Sequence, residues 1–377
     1  MKRFKRFYIL IFILIIFSAS IIIHFTDWGY LSFDNRMRIR KPEAYNLDYF
    51  KTFNADNFET MLKDYYLRDY MVFAGAFFDK YIYRRPFVNN VQVKSPNIFD
   101  VEGAPAYSIS PGDAEKNIIN SAQKLAEIRD KVQANGGDLL IIPVPKISAF
   151  YQYPSYILDP EPIDKAAAEL MFREFDKHDL SYVDLRKVLA YEDYYKTDHH
   201  MSKAGSDKLI EIIDQHLKEK GKALKDARID VDIHDFKGSR SKRAAYLTGT
   251  DDIFEPIYFT DYKRSGDGHE DINNFKERID YPSYMYGDNK YTCIETDVKD
   301  GADLIIYGDS YTNIVEAFIW PRLKRMRSYD FRPDLRAADE KRPQCFYDTD
   351  LLVLIADETS FRLERGYIFY SDEDFDN

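Results

Sequence analysis

The apolar run Leu304-Ile305-Ile306-Tyr307 passes through Gly308-Asp309-Ser310 directly into Thr312 to Leu323, a segment with the apolar spacing of a helix. A strand with no alternating polar positions is buried on both faces, and a helix that follows it at once packs back across a sheet. This junction points to an α/β fold and puts Ser310 at a strand-to-helix turn. Ligands of open α/β sheets collect at that end of the strands. The helix N-terminus there also offers N–H groups to a developing oxyanion.

The rest of the chain alternates in the same way. Asn57 to Tyr83 has helical periodicity, and Asp113 to Ala134 is an amphipathic helix ended by Gly136-Gly137. Asp138 to Pro143 reads as a buried strand, Pro162 to His178 as a helix and Ser181 to Leu185 as a short strand. Ser202 to Lys220 is a helix, with Ser202 as N-cap and Gly221 just past its end. Met326 to Phe331 and Asp350 to Ala356 are further apolar strands. Such alternation implies a mostly parallel sheet with helices on both faces. Residues 222–299 break the pattern, being polar and without a long helical period, and read as a β-rich or irregular insertion.

Tyr8 to Phe25 is an almost unbroken apolar run of 18 residues, preceded by Lys2, Arg3, Lys5 and Arg6. That length spans a hydrocarbon core of about 30 Å, and the basic flank stays on the cytoplasmic side. A cleaved signal peptide is the competing reading. The expected organisation is a signal-anchor over residues 1–25, an extracytoplasmic stem over 26–56 and a catalytic domain over 57–377 that carries the insertion. The expected location is the cell membrane, single-pass, with the domain outside. The net charge of −11 and the lack of a basic stripe beyond the first residues argue against nucleic acid as a partner. The 30 Tyr and 27 Phe suit either a carbohydrate-binding surface or an aromatic core. Cys293 and Cys345, the only cysteines, allow at most one disulfide. No Cys/His spacing resembles a zinc site, and no metal or cofactor is expected.

Thr197-Asp198-His199-His200 lies upstream of Ser310. A serine becomes a useful nucleophile when a base takes its proton, and the base works best when a carboxylate fixes its tautomer. In the loop entering the Ser202 helix, Asp198 can reach the Nδ1 side of His200 and leave Nε2 for Ser310. His199 is the alternative base. Asn313 is a candidate second oxyanion donor beside the Ser310 N–H. Lys146 and Arg332 each follow a strand end and are candidates for contacting substrate. Asp309 is expected to brace the turn.

These motifs resemble the DHHW family of bacterial cell-surface proteins, related to the SGNH hydrolase-like proteins that acetylate alginate. The resemblance runs over most of residues 50 to 360. It rests on Pro143-Val144-Pro145-Lys146 with Tyr151 and Tyr153, on Thr197 to His200 and on Tyr286 to Thr292. It continues through Gly308-Asp309-Ser310-Tyr311 and Tyr329-Asp330-Phe331-Arg332. The resemblance implies a circularly permuted SGNH arrangement, with the Asp-x-His pair before the serine block. It also implies Ser310 as nucleophile, His200 as base, Asp198 as orienting group and acyl transfer through an acyl-enzyme. Where the family's name calls for Trp, this chain has Met201.

The function expected is a membrane-anchored O-acetyltransferase or esterase acting on a cell-surface or exported polysaccharide. A transferase would draw its acyl groups from a multi-spanning membrane partner. A glycan-binding scaffold with the same fold is the non-catalytic alternative. A DHH-type metal phosphoesterase needs further upstream ligands, and only His24 and His178 precede His199.

Overall fold

The computed structural model describes residues 7–9, 11–12, 68–85, 87–89, 91–94, 97–100, 109–151, 161–227, 229, 231–247, 251–256, 263–266, 281–285, 287, 289–332 and 347–362. The expected anchor and stem lie outside these residues, apart from 7–9 and 11–12, which are helical. Among the described residues no helix is long and apolar enough to cross a membrane.

The chain forms two compact units, Met1–Asp100 with Ser239–Thr250, and Val101–Gly238 with Asp251–Asn377. In the first, helix α1 (Arg68–Phe77) runs into a π-helical turn, Phe78–Ile82. Strands β1 (Val91–Lys94) and β2 (Asn97–Asp100) form an antiparallel hairpin. A small core of Ala76, Val88 and Ala245 joins α1 to the end of the helical turn Ser239–Arg243.

The second unit holds α2 (Pro111–Ala134), α3 (Glu161–Lys177), α4 (Lys203–Glu219) and α5 (Thr312–Ile319) around a six-stranded sheet. Helix α2 starts where the Ser110 hydroxyl accepts the Asp113 N–H, with Pro111 at its first position. Strand β3 is Asp138–Val144, and β4 (His234–Phe236) pairs with β5 (Asp252–Phe254) apart from the main sheet. Strands β6 (Lys263–Gly266), β7 (Tyr291–Glu295), β8 (Asp303–Gly308), β9 (Arg325–Asp330) and β10 (Leu351–Asp357) complete the set.

The sheet order is β3-β10-β8-β9-β7-β6. The first three pairings are parallel and the last two antiparallel. Strand side chains divide by parity between two cores. Leu140, Ile142, Leu304, Ile306, Val353 and Ile355 pack with α4 and α5, whereas Leu139, Ile141, Ile305, Leu352 and Leu354 pack with α2 and α3. Helices therefore cover both faces of a mostly parallel sheet, which is why these strands read as unbroken apolar runs.

One reading needs correction. Ser181 to Leu185 is not a strand: Tyr182 makes one parallel bridge to Ile141, and the chain then turns into the 3₁₀ segment Leu185–Lys187. Within residues 222–299, β6 and β7 extend the main sheet. Thr292 and Ile294 of β7 point inward while their neighbours are more exposed, a period-two pattern too short to stand out among polar residues.

Candidate active site

Strand β8 is flanked by β10 and β9, and its carboxyl end delivers Gly308-Asp309-Ser310 to the start of α5. A side chain at Gly308 would overlap the Ile355 carbonyl oxygen, so only glycine lets β8 lie this close to β10 here. Asp309 ties the turn down. Its Oδ1 accepts the Tyr311 N–H at 3.0 Å and its Oδ2 accepts the Asp357 N–H at 2.9 Å. Burial and the nearby Asp357 charge push the Asp309 carboxyl up to about 7, against these two donors and Arg332.

The N–H groups of this turn are almost all occupied. Those of Thr312 and Asn313 bond the Asp309 and Ser310 carbonyls at 3.0 and 3.3 Å, and that of Tyr311 bonds Asp309. The Ser310 N–H has no hydrogen-bond partner among the described residues. Ser310 itself is partly exposed at the mouth of the sheet.

The second loop is a short excursion closed by a bridge between Tyr194 and Met201 and by a Tyr195 N–H to His200 carbonyl bond of 3.1 Å. Asp252, in β5, fixes its middle. One carboxylate oxygen accepts the Thr197 N–H and hydroxyl at 2.7 and 2.6 Å, and the other accepts the Lys196 N–H at 3.0 Å. Gly238 donates its N–H to the Thr197 hydroxyl at 2.9 Å and lies so close that a side chain there would strike Asp198. Asp198 Oδ1 in turn accepts the N–H groups of His199 (2.7 Å) and His200 (3.2 Å).

The two loops meet. His200 Nδ1 lies 2.6 Å from Asp198 Oδ1, and His200 Nε2 lies 2.8 Å from Ser310 Oγ. An ionised carboxylate only accepts, so the imidazole proton sits on Nδ1 and Nε2 is left to accept the serine proton. Asp198 and His200 are buried. The His200 ring lies flat on Tyr281, with centroids 3.6 Å apart and planes inclined by 3°. Tyr311 meets the same ring edge-on at 5.2 Å and donates its hydroxyl to the His199 carbonyl at 3.1 Å.

The other sequence candidates stand around this centre. His199 is half-exposed, its Nδ1 3.3 Å from Asp198 Oδ1. Asn313 is buried in the first turn of α5. Lys146 is half-buried just past the carboxyl end of β3, two strands from β8. Arg332 is clamped by Asp330, its Nε 2.9 Å and its terminal nitrogen 2.6 Å from Oδ2. Asp198, His199 and His200 also place ligand-type atoms within 4.8 Å of one another. Asp198 Oδ1 there is met by two backbone N–H groups and the His200 ring, a field of donors that suits a held carboxylate. Met201 is fully buried in the core beside Leu209 and presents nothing to a substrate. Asp252, Gly238 and Tyr281 had no signal in the sequence, since each acts across a long loop.

Comparison with known proteins agrees with this fold. Residues 106–239 match the family model described as the SGNH hydrolase-like domain of acetyltransferase AlgX, a span that includes Asp198 and His200 and ends before Ser310. A DHHW family protein from Eubacterium siraeum is similar in structure with a TM-score of 0.53 at 19% identity, over 75% of this chain and 95% of that one. Bacillus cereus PatB1, solved with a sulfonyl adduct, is similar with a TM-score of 0.56 at 12% identity, over 74% of this chain and 97% of that one. At these identities the likeness is one of fold. No curated protein sequence matches the chain.

Proposed function

We propose that this protein is a serine acyl-transfer enzyme, an O-acetyltransferase or esterase, acting on a cell-surface or exported polysaccharide. The observation that carries the reading is the chain of contacts from Asp198 through His200 to Ser310, at 2.6 and 2.8 Å. In the proposed reaction Ser310 Oγ attacks the acyl carbonyl carbon while His200 Nε2 takes the serine proton. Asp198 holds the ring and stabilises the imidazolium. The carbonyl oxygen becomes an oxyanion facing the Ser310 N–H, with Asn313 as the proposed second donor. The tetrahedral intermediate collapses, His200 gives its proton to the leaving oxygen, and an acyl-serine remains. A sugar hydroxyl or water then attacks that ester, with His200 again as base, and Ser310 is released.

Acetyl as the transferred group is supported by the match to an acetyltransferase domain. A pair of half-exposed rings, Tyr151 and Tyr191, also stands 5.9 Å apart near Lys146 at the carboxyl end of β3. The apolar run Tyr8–Phe25 with its basic flank supports a membrane anchor and an extracytoplasmic site. An acetyl donor outside the cell requires a membrane protein that exports acyl groups, the proposed partner of a transferase. The test supplies the purified protein with an activated acetyl ester, with and without oligosaccharide acceptors. The expected result is an acetyl group on Ser310 that passes to sugar or water. No acyl-serine with any donor would favour the non-catalytic scaffold instead.

A further inference from the structure

Tyr281 begins the 3₁₀ segment Tyr281–Met285, far from both site loops in sequence, yet its ring covers one face of the His200 imidazole at 3.6 Å. A neighbouring aromatic cluster holds it in place. Tyr284 packs edge-on at 5.6 Å and Tyr195 at 6.5 Å, and the Tyr195 and Tyr284 hydroxyls bond at 2.7 Å. Tyr195 is itself braced by Phe236 at 5.1 Å. The contact with His200 is made by the face of the Tyr281 ring. Burial keeps the phenol well above its ordinary value and hence neutral. Its face carries the negative side of the ring quadrupole, which attracts a cation, and more strongly in a dry site.

We propose that Tyr281 is a positioning residue for His200: its ring fixes the plane of the imidazole between Asp198 and Ser310 and stabilises the imidazolium formed when the serine proton is taken. Asp198 sets the tilt of the ring from its edge, while Tyr281 prevents it from swinging out of the line to Ser310. The groups facing His200 are Asp198 and His199 on its own loop, Ser310 and Tyr311 on the turn after β8, and Tyr281. Of these, Tyr281 alone lies flat on the ring at stacking distance.

This inference rests on the acyl-transfer reading, so its test uses a readout that needs no substrate. The Nδ1 proton shared with Asp198 is followed by proton NMR as pH is varied, in wild type, Tyr281→Phe and Tyr281→Leu. Phe keeps the ring face, whereas Leu keeps apolar bulk and loses it. The Phe variant is expected to titrate as wild type. The Leu variant is expected to titrate about one pH unit lower, because the charged ring has lost a stabilising neighbour. The acid limb of kcat/KM should move to lower pH by the same amount, with kcat reduced about tenfold. If Tyr281→Leu fails to fold, Tyr281→Met replaces it with the same expectation. A Leu or Met variant that titrates as wild type would overturn the inference, as would a Phe variant shifted equally far. If Ser310 takes no acyl group in wild type, the acyl-transfer reading falls, while the titration still decides the stacking.

Discussion

Two Asp–His pairs sit at opposite ends of the parallel strands of one sheet. At the carboxyl end, His200 Nδ1 meets Asp198 at 2.6 Å and its far nitrogen meets Ser310. At the amino end, His216 of α4 meets Asp138, the first residue of β3, through Nε2 at 2.9 Å. Asp138 is also met by Lys220 at 2.9 Å and by Gln133 at 3.1 Å. Burial acts to raise the Asp138 carboxyl, but the bonds from His216, Lys220 and Gln133 outweigh it and hold the group well below the usual range. Asp138 is thus an ion-pair hub, and among the described residues no hydrogen bond joins the His216 imidazole to a serine. An Asp–His bond alone is a structural element, and the nucleophile on the other nitrogen is what gives it chemistry.

Paired substitutions can break this comparison. The largest effect is expected at Ser310→Ala or His200→Ala, each lowering kcat at least about a thousandfold, with the double variant little worse than either. Steady-state kinetics on the three proteins checks this, and additive losses would show that the two groups do not act together. Asp198→Asn is expected to cost on the order of a thousandfold or more in kcat by favouring the wrong tautomer, with the fold retained by circular dichroism. Its counterpart Asp138→Asn should leave kcat unchanged and lower stability by about 1–2 kcal/mol in denaturant titration, given the exposure of Lys220.

The two ends also respond oppositely to pH. Asp309 has a folded value raised from 3.8 to about 7. Its contribution to stability is therefore complete below pH 3.8 and is lost as pH rises toward 7, by up to about 1.4 kcal/mol per unit. Asp138 is lowered, so its contribution is present above pH 3.8 and lost as pH falls below it. Melting temperatures from pH 4 to 7 should fall less steeply in Asp309→Asn than in wild type, and equal slopes would remove Asp309 as the source. Below pH 3.8 the Asp138→Asn variant should be the flatter of the two.

Much of this architecture was legible in sequence because a parallel strand covered on both faces is an apolar run. Leu304-Ile305-Ile306 and Leu139-Leu140-Ile141-Ile142 needed no other clue. The two site loops were legible as motifs, Asp-x-His and Gly-Asp-Ser, each at a junction between elements. What lay beyond reading was the support arriving from residues 222–299. Asp252 anchors Thr197, Gly238 makes room for Asp198, and Tyr281 covers His200. All three act through contacts distant in sequence, and none sits in a periodic segment. The short strands β6 and β7 escaped for a related reason, since five residues of alternation carry little weight inside a polar stretch. Ser181 to Leu185 erred the other way, its apolar residues filling the core beside a single bridge.

The central claim is that His200 activates Ser310, and covalent labelling with a fluorophosphonate tests it most directly. Peptide mapping of the labelled wild-type protein should find the adduct on Ser310, formed at a rate that falls by orders of magnitude in His200→Ala. No adduct on Ser310, or equal rates in the two proteins, would contradict it.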